Sequence, residues 1–189
     1  MNIRQDRSVV AFYTAARNFC QLLEAEAVSR VMSPTSVFYA LRDFDACSYL
    51  LPEPPVPENV FALPDEFAVT ELQRRDLCIR LSSLLGAYDG YWDHFHPTLP
   101  PNPKREPVFA SLSADLTKIY GDVLPGVRAW ESQREPLLSV IVFGWKRLCS
   151  HSQWHSHSDS IMRALFHIPN DMSQESPNAP LRTAPGRYV

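Results

Sequence analysis

The sequence lacks any apolar run long enough to cross a bilayer. Its longest, Leu137 to Trp145, is about half of the roughly 20 residues a spanning helix needs. The first residues, Met1 to Arg7, lead into mixed sequence without the apolar centre of a signal peptide, so neither secretion nor membrane insertion is expected. Glycine is scarce: the six glycines are scattered singly, which excludes a glycine-rich phosphate loop. The four cysteines, Cys20, Cys47, Cys78 and Cys149, form no CxxC pair. Each falls in an apolar helical stretch, where a reduced thiol behaves as a small hydrophobe, as suits a cytoplasm. No dense Lys/Arg run exists and the formal charge is −3, so nucleic-acid binding is not expected. No serine sits in a GxSxG elbow and no cysteine adjoins a histidine, so neither nucleophile pattern is present.

What is present is helical periodicity. With 45% hydrophobic and 21% charged residues, the composition is that of a folded globular chain. From about Ser8 to Arg30, Val9, Phe12, Tyr13, Ala16, Phe19, Cys20 and Leu23 recur at helical spacing and form one apolar stripe. Ser33 and Pro34 read as cap and first position of a second helix carrying Val37, Leu41, Phe44 and Ser48 inward, with Pro52 as its stop. A proline-rich stretch to about Pro64 reads as a connector. A third helix is expected over about Asp65 to Leu85, ended by Gly86. Tyr88 to His96 reads as a short aromatic helical turn, followed by a second proline-rich loop from Pro97 to Pro107. The clearest helix starts at a cap, Ser111 or Ser113, and runs through Leu112, Leu116, Ile119, Tyr120, Val123, Val127 and Trp130, with Pro125 expected to kink or split it. Leu137 to Trp145 reads as a central helix, since no second strand candidate offers it a partner. A last helix covers about His151 or Ser152 to His167. The expected fold is therefore all-α, a helical bundle of about six to seven helices with two proline-rich loops. Residues 1–168 are expected to form one domain and 169–189 a flexible tail.

Three histidines cluster in His151, His155 and His157. His151 and His155 stand one helical turn apart, the spacing that offers two imidazoles to one metal ion, though a site needs further ligands. His94, His96 and Asp93 could supply them, which keeps a divalent metal as an alternative to no cofactor. On a helical wheel His157 shares a narrow face with Trp154, Ile161 and Leu165 and points inward, while His167 points to solvent. Asp115 and Asp122, two turns apart on one helix, suit either acid–base chemistry or a hard cation; equally, Asp115 complements the dipole at the start of its helix.

The second half of the chain resembles the domain-of-unknown-function family 5063, a bacterial, all-helical group with no known activity. Three blocks carry the likeness: Tyr91-Trp92-Asp93-His94-Phe95; Ser111 to Leu116 with Ile119-Tyr120, running through Asp122 to Gly126; and Trp154 to His157 followed by Arg163-Ala164-Leu165. In the third block Gln153 and His155 stand where the family shows His and Gly, so the His151/His155 pair reads as incidental. The resemblance implies a compact helical domain with a shared cluster around Trp92, Asp115, Tyr120, Trp154 and His157, and these with Asp122 are the candidate binding residues. Such a cluster is either a satisfied buried network or the wall of a pocket. With no catalytic constellation, the expected role is non-enzymatic: a protein-binding adaptor, accessory or immunity-like factor whose partner is another protein, with neither nucleic acid nor membrane. No oligomeric state is implied. The alternative is a small enzyme, or a ligand or metal binder, using the His/Asp/Trp cluster.

Overall fold

The computed structural model describes residues 3–29, 32–53, 62–93, 108–150 and 152–169, of which Ser29, Asp93, Val108, Ser150 and residues 152–157 are described by backbone alone. Six helices carry the fold: α1 (Arg7–Ser29), α2 (Pro34–Ser48), α3 (Glu71–Leu85), α4 (Leu112–Glu131), α5 (Leu138–Ser150) and α6 (Ser152–Phe166). The all-α expectation holds, with one addition. Between α3 and α4 two short strands, β1 (Gly90–Asp93) and β2 (Val108–Ser111), pair antiparallel.

Local chemistry sets most of the helix ends. Ser33 Oγ accepts the Ser36 amide at the start of α2, with Pro34 in the first turn, as the sequence predicts. The third helix begins later than its acidic residues suggest. Asp65–Phe67 forms a separate 3-10 turn, and Thr70 and Gln73 cap α3 reciprocally, at 3.2 and 3.0 Å. Gly86 closes α3 at φ +53°, a backbone conformation that favours glycine.

The buried side chains of α1 (Val9, Phe12, Ala16, Phe19, Cys20, Leu23 and Ala27) follow the helical stripe read from the sequence. They meet Val37, Leu41 and Phe44 of α2, and Trp145 of α5 lies against Phe12 at 5.0 Å between ring centroids. The helix at the centre, however, is α4 rather than the apolar segment that became α5. It packs against α1, α3, α5 and α6, and thirteen of its residues are buried. Its small residues make that possible. A Cβ at Gly126 would lie 2.2 Å from Trp145 Nε1, so only glycine lets the indole rest on the α4 backbone.

Nor does Pro125 split α4, which runs unbroken from Leu112 to Glu131. Proline removes one amide donor, that which would serve the carbonyl four residues back. That carbonyl belongs to Gly121, and the Arg74 guanidinium on α3 donates to it at 3.3 Å. The freed acceptor is satisfied from a neighbouring helix.

The aromatic turn expected over Tyr88 to His96 is also corrected. A 3-10 turn at Gly86–Tyr88 leads directly into β1, whose partner β2 lies beyond the 94–107 stretch. Four-residue strands give too little alternation to be told from a turn, and their pairing depends on contacts remote in sequence.

Candidate functional site

The joint between hairpin and bundle is built around Asp89. Its Oδ1 accepts the Ser113 amide at 2.7 Å, serving an otherwise free donor in the first turn of α4. Its Oδ2 accepts from the hydroxyls of Ser82 (2.9 Å), Ser113 (3.0 Å) and Ser111 (3.2 Å). Ser111 Oγ, in turn, accepts the Ala114 amide, so the last residue of β2 is also the cap of α4. One carboxylate thus locks α3, both strands and α4 together, and every acceptor bond it makes is to a neutral donor. Two residues further into the hairpin, the Tyr91 hydroxyl donates to Asp115 Oδ2 at 2.8 Å.

This anchoring holds β1 across from the C-terminal half of α6. Between them opens a cleft of about 400 Å³, lined by Ala87, Tyr88, Gly90, Tyr91 and Trp92 on one wall and by Ser160, Arg163, Ala164, His167 and Ile168 on the other. Its volume lies in the range of small-ligand or peptide side-chain pockets. Three aromatic rings face it, and Arg163 is the formal charge among the described lining residues. The Arg163 guanidinium donates to Ser160 Oγ at 3.1 Å, leaving further donors of its planar fork for a ligand. Trp92 is 58% exposed and crosses Phe109, itself 62% exposed, edge to face at 5.3 Å. The cleft therefore continues onto an open aromatic surface. A second depression, of about 700 Å³ between α1 and α3, is lined by Ala27, Val28, Ile79, Arg80, Ser83 and Leu84 and has no aromatic wall.

The residues singled out in the sequence separate in space. Trp92 lines the cleft, and Asp115 stands behind its wall, bound through Tyr91. Tyr120 turns instead to α1, donating to Glu24 Oε1 at 2.6 Å; burial, then this bond, pushes its hydroxyl pKa up. Asp122 faces the α3 side. Burial raises its carboxyl pKa, and the charges of Arg74 and Lys118 oppose the rise. Asp115 and Asp122, though two turns apart, thus serve different neighbours. Trp154, His155 and His157 ride on α6, but their side chains lie outside the described residues, as do His94, His96 and His151. Among the described residues no three His, Cys, Asp or Glu side chains come together as a metal site would need. His167 is exposed, as its wheel position predicts, yet it also lines the cleft.

Arg163, Tyr88 and Asp89 were not singled out as chemistry by sequence reading. The Asp89-Gly90 dipeptide, a turn signal between an apolar helix and an aromatic run, was the available pointer to the hairpin. Arg163 gave no comparable signal, because one arginine on a helix face is ordinary.

A further polar junction ties α6 to α2. Ser158, fully buried, donates to Asp45 Oδ1 at 2.9 Å, and Ser48 donates to the Asp45 carbonyl at 2.6 Å. Burial pushes the adjacent Cys149 thiol up to about 12, against a smaller lowering by its bond to Ser48, so it stays a protonated thiol near neutral pH. All four cysteines are free, Cys20 and Cys149 being buried.

Among solved structures the chain is similar to protein BF1032 from Bacteroides fragilis, a target of the Northeast Structural Genomics Consortium. The TM-score is 0.68 at 21% identity, covering 94% of this chain and 99% of that one. At that identity the likeness concerns the fold. No curated protein matches the chain. A family model described as a domain of unknown function (DUF5063) matches residues 4–170, nearly the whole described chain and well beyond the three blocks that first suggested it. The chain belongs to this family.

Proposed function

We propose that this protein is a non-enzymatic binding module that takes a peptide segment of another protein in the cleft between the hairpin and α6. The observation that carries this reading is the continuity of that cleft, which Arg163 lines, with the exposed Trp92–Phe109 pair through Trp92. Single exposed rings are ordinary on a surface, but two in contact beside a cleft form a contiguous apolar patch of the kind that marks interaction sites, and Trp, Tyr and Arg dominate binding hot spots. Because Arg163 is the formal charge among the described lining residues, in a chain of net charge −3 overall, the fitting partner segment is acidic and carries an aromatic or aliphatic anchor. The four free cysteines suit a reducing compartment, and no helix among the described residues is long and apolar enough to cross a membrane.

The volume of about 400 Å³ also favours a second reading, a small anionic ligand seated on Arg163 beside Tyr88 and Tyr91. Selection from a displayed library of random peptides, roughly ten residues long, separates the two. The peptide reading expects enrichment of acidic sequences with one central aromatic. It also expects Arg163→Glu to weaken the selected peptide by at least about tenfold at an unchanged melting temperature. Failure to enrich any peptide, or equal affinity for the Arg163→Glu variant, would contradict it.

A further inference from the structure

We infer that β1 is an open docking edge, to which the acidic partner segment adds as a third strand lying between β1 and the end of α6. This rests on the peptide-binding reading above and specifies the backbone geometry by which that reading works.

The phase of the ladder decides which backbone groups are free. In an antiparallel pair, residues directly opposite each other alternate between exchanging both hydrogen bonds and exchanging none. Leu112 donates its amide to the Asp89 carbonyl at 2.7 Å, and the register continues Gly90 opposite Ser111, Tyr91 opposite Ala110, Trp92 opposite Phe109 and Asp93 opposite Val108. The Asp89/Leu112 position is therefore a bonded one, which makes Tyr91/Ala110 and Asp93/Val108 the next bonded pairs. Gly90 and Trp92 fall between them and turn their N–H and C=O groups away from β2. The close approach of the Trp92 and Phe109 rings agrees, because side chains of non-bonded pairs lie nearer to each other. Among the described residues no backbone bond reaches these outward groups of Gly90 and Trp92.

Those groups face the cleft. Its described lining draws Gly90, Tyr91 and Trp92 from β1 and five residues from the α6 side, and none from β2. It therefore lies on the side of β1 opposite its partner. Natural sheets guard such edges with lysine, proline or bulges, and the described strand Gly90-Tyr91-Trp92 has neither lysine nor proline and pairs in unbroken register. At Gly90 the edge is bare backbone, with the Phe109 ring occupying the space a side chain would take. An incoming strand would pair residues i and i+2, roughly 7 Å apart, with Gly90 and Trp92. Its side chains on the Trp92 face would meet the exposed ring pair, while a carboxylate directed at α6 would find Arg163. Backbone pairing thus supplies affinity, and the aromatic pair and the arginine supply selectivity.

Amide hydrogen exchange, followed by NMR on the full chain, tests this directly. In the free protein the Tyr91 and Asp93 amides, bonded to β2, are expected to exchange more slowly than those of Gly90 and Trp92. Saturation with a selected acidic peptide of roughly ten residues is expected to slow Gly90 and Trp92 by about tenfold or more. N-methylation of the same peptide at successive positions should abolish binding at alternate residues only. Binding without protection of those two amides, or a methylation profile without alternation, would overturn the third-strand geometry and leave the peptide reading standing. If Gly90 and Trp92 are already protected without peptide, the chain covers its own edge and the inference fails. No measurable peptide binding at all would overturn both.

Discussion

The rings of Phe12, Phe44 and Trp145 and those of Trp92 and Phe109 are alike in chemistry and opposite in circumstance. In the first set Phe12 touches both of the others, at 5.1 and 5.0 Å, and Trp145 retains only 2% of its surface. In the second set the rings are 58% and 62% exposed, on a two-stranded hairpin that meets the bundle through Asp89 and Asp115. The difference lies in what surrounds each pair. The core rings project from long helices whose apolar residues recur every three to four positions, so several helices close over them. The hairpin rings project from a sheet of only two strands among the described residues and stay more than half exposed, so their further burial requires a partner. The same residue type thus holds the fold in one region and remains available in the other.

Removing a core ring should have the largest effect. Trp145→Ala deletes the indole that fills the space between Phe12 and the Gly126 backbone. It is expected to cost roughly 3–5 kcal/mol in urea unfolding. A loss below about 1 kcal/mol would mean the core does not depend on that contact.

The joint between the regions comes next. Asp89→Ala removes the acceptor of one helix-start amide and three hydroxyls, and is expected to cost roughly 2–3 kcal/mol in thermal or urea unfolding. Because the hairpin hangs on this residue, amide exchange in β1 and β2 should accelerate more than in α1 or α2. Uniform acceleration would show that the two regions are not separable.

A third effect belongs to the rim of the core. Glu26, only 7% exposed, accepts the Ser33 amide at 3.3 Å between α1 and α2, and burial pushes its carboxyl from the ordinary 4.5 up to about 7. A raised pKa means the fold favours the neutral form. That contribution is fully present below about pH 4.5 and is lost as pH rises through about 7. Glu26→Gln keeps an acceptor for Ser33 and never ionises. It is expected to match the parent near pH 4 and exceed it by roughly 1–3 kcal/mol above pH 8, read from urea midpoints at the two pH values. Equal stability at both would contradict a buried neutral carboxyl.

The sequence disclosed these regions unequally, for a physical reason. The stripe of α1, the Ser33-Pro34 start of α2 and the Ser111 cap of α4 are local signals, written within a few residues, and were legible. The hairpin was not, because β1 finds its partner only beyond residues 94–107 and each strand spans four residues. The continuity of α4 through Pro125 was equally hidden, since the arginine that satisfies Gly121 comes from another helix 47 positions earlier. The family resemblance points to Trp92 and Asp115 as members of one larger cluster. Their relation through Tyr91, and the facing Arg163, required the tertiary structure.

The most direct measurement of the central claim is equilibrium urea unfolding of Trp92→Ala beside the parent chain. If the hairpin rings are held for a partner rather than for the fold, the loss is limited to their mutual contact, below about 1 kcal/mol. A loss approaching that of Trp145→Ala would show Trp92 to be part of the core in solution and would end the proposal that this face is a binding surface.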